Sequence, residues 1–315
     1  MSSAAATELR KETPAPLPQV EPAGHRLRQR AANFWLDLLF RCAGRPTITR
    51  LMKPLVVSLG FSCSKKMQAA TAFNAQRIFS PGLTPAQCRA FGRRVLGNFY
   101  DFVCDVGLSQ RLSMSRLLSR IESVQGHPNY AAARAMKKGA IIATAHMGSF
   151  EIGAAALLQH DQRIHVVFKR DPSRFEQVRS ALRQKLGILE APVDEGLGLW
   201  VRLRDVLMRD EVVMVQSDRV MPGQKGATVP FLHGQVMLPT GPVKLALASG
   251  APIVPVFAVR VPDGRIRICV EEAIIVEPSE QSPHPAMLKL AAVIERYVRQ
   301  YPDQWLMFDR AFRDE

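Results

Sequence analysis

The stretch AIIATAHMGSFEIG, residues 140–153, decides the fold. Its first six residues form a short, continuous apolar run of strand length, and Gly139 just before it suits the C-cap of a helix over 129–138. A run that does not alternate with polar residues belongs to a strand covered on both faces, which is the habit of parallel sheets. The strand ends at His146. Gly148 then offers a turn, and Ser149 stands where a helix over 149–160 would begin. Strand, glycine turn and helix in this order form one unit of an α/β protein.

Downstream the rhythm repeats. Strands are expected at 164–168, 212–215, 253–259 and 265–270, and helices at 173–186, 198–208, 241–249 and 285–299. Upstream the signals are helical from about 28 to 122, with Thr84 before Pro85 as an N-cap and first-turn proline pair. A helix is also expected over 113–121, and no strand before 139. The fold class is therefore α/β, with a central, mostly parallel sheet flanked by helices and an N-terminal helical, membrane-facing region. The expected divisions are a flexible tail over 1–24, a helical membrane-associating region over 25–122 and an α/β domain over 123–315.

Composition narrows the function classes. The 315 residues are 47% hydrophobic and 22% charged, enough for a substantial core. A formal charge of +14 makes polyanions the natural partners, whether anionic lipid, nucleic acid or an acidic carrier protein. Five cysteines without a C-x-x-C spacing argue against a disulfide framework or a cysteine metal site. The N-terminus lacks the apolar core of a secretory signal. The uncharged run 226–243 is long enough to span a bilayer but carries Pro230, Pro239 and Pro242, so no clean membrane span is expected. Between His25 and Lys53 stand seven Arg or Lys and one acid, interleaved with Phe34, Trp35, Leu36, Leu38, Leu39 and Phe40. That mixture is the composition of a helix lying on an anionic lipid surface.

His146 sits at the carboxyl end of a core strand, where open α/β sheets carry their ligands. Glu151, in the first turn of the next helix, can fold back through Gly148 toward one imidazole nitrogen, leaving the other to take a proton from a hydroxyl. Seven histidines and 28 acids leave roughly 0.6 chance pairs at this spacing, so the pair needs its context. Backbone N–H groups at the start of that helix are candidates for an oxyanion site. Arg170 and Arg179 are candidates for phosphate binding, Lys225 for a headgroup contact from its glycine-rich turn, and Ser149 for a substrate contact. Asp218 follows a buried strand at the same sheet edge as His146 and can orient a substrate or pair with an arginine. Phe231, Leu232 and Leu238 are either core or the lining of an acyl channel. No G-x-S-x-G elbow, P-loop, dinucleotide fingerprint or nucleic-acid motif is present.

The blocks HMGSFEIG, VVFKRDPSRFEQVRS, VVMVQSDR, GATVPFLHG, GPVKLALASGAPIVPVFAVR and YPDQWLMFDRAF occur in this order. Together they resemble the bacterial lipid A late acyltransferases (the lauroyl and myristoyl transferases), within the lysophospholipid acyltransferase superfamily, over about residues 70–315. The H-x-x-x-x-[DE] hallmark is matched by His146 and Glu151. The resemblance implies a glycerol-3-phosphate/lysophospholipid acyltransferase-like fold and transfer of a fatty acyl chain from acyl carrier protein or coenzyme A to a lipid hydroxyl. The expected acceptor is a membrane glycolipid, in the first place a lipid A precursor, with a lysophospholipid or another glycolipid as the alternative. It further implies His146 as general base, Glu151 as its partner, the Arg170 block as a substrate-binding region and Pro252–Val256 as the block beside the site. No metal, cofactor or nucleic acid is implied, and the expected location is the cytoplasmic face of the bacterial inner membrane, peripheral or monotopic. The sequence departs from the family at Ser149, where Asn is common, at Asp218-Arg219 in place of Asp-Gln, and in an ending that keeps only Trp305 of a Trp-x-Trp pattern. A non-catalytic basic protein that binds membrane or nucleic acid is the reading from a different class.

Overall fold

A computed structural model of the chain describes residues 23–79, 82–221 and 224–313, with side chains in the first helix from residue 33. Residues 1–22, which make up nearly all of the expected tail, lie outside the described residues, as do the side chains of Arg26, Arg28 and Arg30.

Four helices come first: α1 (Ala23–Cys42), α2 (Pro46–Ser62), α3 (Lys65–Ile78) and α4 (Pro85–Ser109). Helix α4 opens on a capping box in which the Thr84 hydroxyl accepts from the Gln87 N–H and the Gln87 side chain accepts from the Thr84 N–H. Its long apolar face packs against α1, α2 and α3. A short α5 (Met114–Leu118) leads to β1 (Ile121–Gln125). Then follow α6 (His127–Ala135), β2 (Ala140–Thr144), α7 (Phe150–Leu157), β3 (Ile164–Phe168), α8 (Arg174–Lys185), β4 (Leu189–Pro192), α9 (Leu197–Met208) and β5 (Val212–Gln216). The hairpin β6 (Gly226–Phe231) and β7 (Gly234–Pro239) precedes α10 (Gly241–Ser249), β8 (Ile253–Arg260), β9 (Ile266–Val270) and α11 (Pro285–Gln300).

Seven strands form one sheet in the order β1-β9-β8-β2-β5-β3-β4, parallel except where β9 runs against β8. All five residues of β2 are buried, as the unbroken apolar run requires. Odd-numbered positions of β2 and β5 (Ile141, Ala143, Val213, Val215) face one core with α9, α10 and α11, while Ile142 and Met214 face the other with α6 and α7. Among the described residues no helix is long and apolar enough to cross a membrane.

The strand β1 lies where no strand was expected, and it crosses the anticipated boundary at 122/123. Its sequence IESVQ is half polar because an edge strand needs little apolar cover, and pairing with β9 alone holds it. The run 226–243 becomes the β6–β7 hairpin and the start of α10, with Leu232 in the left-handed region at its turn. Phe231 and Leu238 are buried in the main core and Leu232 packs against it, so the acyl-channel alternative for these three does not hold.

Candidate functional site

Register positions the central residues. Thr144 of β2 is paired with Gln216 of β5, so His146 and Asp218, each two residues further, leave the sheet side by side. The turn after His146 depends on Gly148, whose φ is +55°. A Cβ there would lie 2.1 Å from the Ala258 carbonyl oxygen, so only glycine lets the chain double back against β8.

His146 Nδ1 lies 2.7 Å from Asp218 Oδ1, and the Trp305 indole N–H donates to Asp218 Oδ2 at 2.9 Å. The Asp218 side chain is inaccessible, whereas His146 keeps 22% of its side-chain surface. Burial alone would raise the Asp218 pKa, but the facing imidazole, with smaller help from Arg219 and the indole, outweighs it and holds the carboxyl well below its usual range. Burial pushes the His146 pKa below its usual 6.5, and Asp218 only partly offsets this. At neutral pH the ring is therefore neutral beside an anionic carboxylate. The carboxylate can only accept, so Nδ1 carries the hydrogen and Nε2 keeps a free lone pair.

The C-terminal segment completes this pair. The Leu306 N–H donates to the His146 carbonyl at 2.8 Å, the Gly148 N–H donates to the Gln304 carbonyl at 3.1 Å, and Arg219 donates to the Leu306 carbonyl at 3.1 Å. Trp305 itself is 2% exposed.

Glu151 is not the partner of the imidazole. Its carboxylate accepts from Arg179 Nε at 2.6 Å and lies 3.6 Å from Arg183 Nη1. Glu176 joins the cluster, accepting from Arg179 at 2.7 Å and from Arg183 at 2.5 Å, and Arg183 is fully buried. The physical reason is that the first turn of α7 aims position 151 at α8, where two guanidinium groups outbid a neutral ring for an anion. Arg179 reaches the cleft wall, 5.3 Å above the Phe150 ring. Arg170 does not: it is exposed and held by Asp194 at 2.5 Å and Glu195 at 3.2 Å.

Ser149 occupies the N-cap position of α7 but makes no side-chain cap, since its hydroxyl donates to the buried Asp105 at 2.6 Å. Fully buried, it is not a substrate contact. The Ser149 amide also has an acceptor, the Ala258 carbonyl at 2.9 Å, so with the Gly148 amide two of the expected oxyanion donors are taken. Lys225 lies apart from His146, at a cavity on the other face of the sheet. The block Pro252–Val256 runs into β8 beside β2, with Ala143 paired to Pro255.

A cleft of about 260 Å³ opens over His146 and is walled by Phe150, Glu151, Lys169, Arg179 and Gln216. Behind Phe150, a second cavity of about 240 Å³ runs between α7 and the sheet, lined by apolar side chains such as Ile142, Leu157, Val256 and Ile268. Phe150, Ala154 and Met214 border both spaces. The sequence reading missed Trp305 and Asp105 as parts of this site and misassigned the partner of His146. The usable signal was that two buried strands each end two residues before a polar side chain.

Fold and site together define an α/β protein with a histidine–aspartate pair at the carboxyl ends of its central strands. The model of the bacterial lipid A biosynthesis acyltransferases matches residues 30–314, and the chain belongs to that family. It is 25% identical over 177 residues to the phosphatidylinositol mannoside acyltransferase of Mycobacterium tuberculosis strain H37Rv, covering 56% of this chain and 55% of the relative. The same protein of strain CDC 1551 matches equally. The chain thus spans about half the length of the curated relatives it matches. Among solved structures, the 1-acyl-sn-glycerophosphate acyltransferase PlsC of Thermotoga maritima overlaps with 87% of this chain and 97% of its own, at 13% identity and a TM-score of 0.35, too loose a likeness to bear on the site.

Proposed function

We propose that the protein is an O-acyltransferase that moves a fatty acyl chain from an acyl thioester to a hydroxyl of a membrane glycolipid. The observation that carries this reading is a histidine, oriented by Asp218, in a cleft that adjoins an apolar cavity. Family membership supports it. In the reaction, Nε2 of His146 takes the acceptor hydroxyl proton as the oxygen attacks the thioester carbonyl. Asp218 stabilises the imidazolium so formed. The tetrahedral intermediate then expels the thiolate, which recovers the proton from the imidazolium, leaving an ester and a thiol. The thioester is activated already, so no covalent enzyme intermediate is needed. Arg179, held in the cleft wall by Glu151 and Glu176, is placed to meet negative charge on a substrate. The apolar cavity behind Phe150 accepts the acyl chain, with acyl carrier protein or coenzyme A as the donor.

A lipid A precursor is the first acceptor to test, on the strength of the family match. A mannosylated phosphatidylinositol is the second, on the strength of the mycobacterial relatives. The surface suits work at a bilayer: Leu51, Leu55 and Leu59 stand 74%, 61% and 56% exposed, four residues apart along α2, and Phe34 and Trp35 of α1 are exposed as well. We place the protein on the cytoplasmic face of the inner membrane, attached peripherally.

The deciding experiment compares lipids by mass spectrometry from cells carrying the wild-type gene, His146→Ala or no gene. One glycolipid species should lose a single acyl group in both the variant and the deletion. An unchanged lipid profile in the His146→Ala cells, with the protein present at wild-type level, would reject the assignment.

A further inference from the structure

Strand β5 separates two cavities of opposite electrical character. Met214 borders the apolar cavity, which no Lys or Arg lines among the described residues. Val215, on the other face, borders a cavity of about 600 Å³ between α9 and α10, and Gln216 is shared between this cavity and the His146 cleft. Among the described residues Arg204, Lys225 and Lys244 line it, and no Asp or Glu does. Asp194 and Glu195, which stand in sequence between the lining residues Val193 and Gly196, are held by Arg170 and Arg202, and Arg204 is bonded to Asp205. Lys225 and Lys244 have exposed side chains with no hydrogen-bond or ion-pair partner among the described residues. Lys225 is nevertheless fixed at its backbone, where its carbonyl accepts from the Thr240 N–H at 3.1 Å and the Thr240 hydroxyl at 3.2 Å. That ties it to the start of α10, one turn from Lys244.

The remaining wall is apolar. Trp200 lies against Gly241, where a Cβ would meet its ring at 2.7 Å, so the absence of a side chain seats the indole beside the cavity. Leu245 backs the interior, while Leu197 (79% exposed) and Val201, one turn apart on α9, form an apolar lip. An apolar hollow with an apolar lip and two unpaired ammonium groups is complementary to an amphiphile with a compact negative charge. Neither a neutral lipid nor a lone ion uses both halves.

We propose that this cavity is a second lipid site, which takes an anionic lipid by its hydrocarbon chain along Trp200, Leu245 and the α9 lip and by its phosphate between Lys225 and Lys244. It stands independently of the acyltransferase reading. Because Gln216 borders both spaces, the bound phosphate lipid lies beside the strand end that carries Asp218.

The test is photolabelling of the full chain with oleoyl lysophosphatidic acid bearing a chain diazirine, followed by peptide mapping. Label is expected on α9 and α10, and it should fall at least tenfold in the Lys225→Glu/Lys244→Glu variant while label on α7 persists. Monooleoylglycerol with the same diazirine should label α7 but leave α9 and α10 unmarked. His146→Ala should label like the wild type, so the readout does not depend on turnover. Equal labelling of α9 and α10 by the neutral lipid would overturn the proposal. So would labelling unaffected by the double charge reversal, or displacement by millimolar inorganic phosphate alone. Both lysines are exposed, and an unchanged melting temperature of the variant checks that the fold is retained.

Discussion

Beyond the paired Thr144 and Gln216, neighbouring strands deliver an imidazole and a carboxylate to one spot, and the division of labour among the acids follows from that. Asp218→Asn should lower kcat about 10²–10⁴-fold with little change in KM, because an amide can favour the wrong tautomer and cannot stabilise an imidazolium. Glu151→Gln should leave the pair intact, raise KM through loss of the Arg179 anchor, and cost about 3–5 kcal/mol in stability as a broken buried ion cluster. Steady-state kinetics and thermal melting of the two variants separate these outcomes. Burial holds the His146 pKa below 6.5, with the Arg219 charge working in the same direction. The base must be unprotonated, so kcat/KM should be flat near neutrality and fall only below that value. Removing the positive charge with Arg219→Gln stabilises the protonated ring, so the acid limb of the kcat/KM profile should move to higher pH. At this scale the sequence revealed His146 and its place at a strand end. It hid the partner, because Asp218 lies 72 positions away and only strand order brings it near.

Helix α7 and the C-terminal segment hold the pair between them. The bridge between Met147 and Trp305, with the bonds from Leu306 to His146 and from Gly148 to Gln304, ties residues 304–306 to the loop that carries the imidazole. Trp305→Phe keeps most of the packing and deletes one hydrogen bond to a charged group, worth about 1.5–3 kcal/mol. Loss of that bond frees the carboxylate to rotate, and kcat should drop about tenfold or more while the fold persists by circular dichroism. The buried strands β2, β5 and β8 were legible as apolar runs and β3 and β9 as apolar runs interrupted by His165 and Arg267, and most helices from their periodicity and caps. The missed strands share a physical cause. Edge strand β1 is half polar, β4 is four residues long and ends in proline, and the hairpin β6–β7 carries Pro230 and Pro239. Each is held by a partner strand rather than by its own pattern.

Across the whole molecule, rings connect the N-terminal helices to the cleft. Phe40 of α1 stacks on Phe175 of α8 at 6.4 Å, Phe99 of α4 meets the same ring at 5.9 Å, and Phe102 packs on Phe150 at 4.6 Å. On the outer side of the same helices, the Leu51, Leu55 and Leu59 row offers apolar surface. Replacing all three with Asp should reduce sedimentation with anionic vesicles by at least tenfold without changing the melting temperature, since none of the three is buried. Unaltered sedimentation would exclude this face as the lipid contact. The basic and aromatic content of residues 25–53 led to the expectation of a lipid-facing helix there, and the exposed leucine row runs along α2 over residues 51–59.

Asp105 of α4 receives the Ser149 hydroxyl at 2.6 Å, Arg120 at 2.6 Å and Arg260 of β8. One carboxylate from the helical half therefore clamps the loop that carries His146 to the sheet beneath it. A fragment started at β1 would lack both Asp105 and Arg120 and so leave Ser149 and Arg260 without the anion they share. A disturbance of these helices, from whatever source, therefore has a mechanical route to the His146 ring.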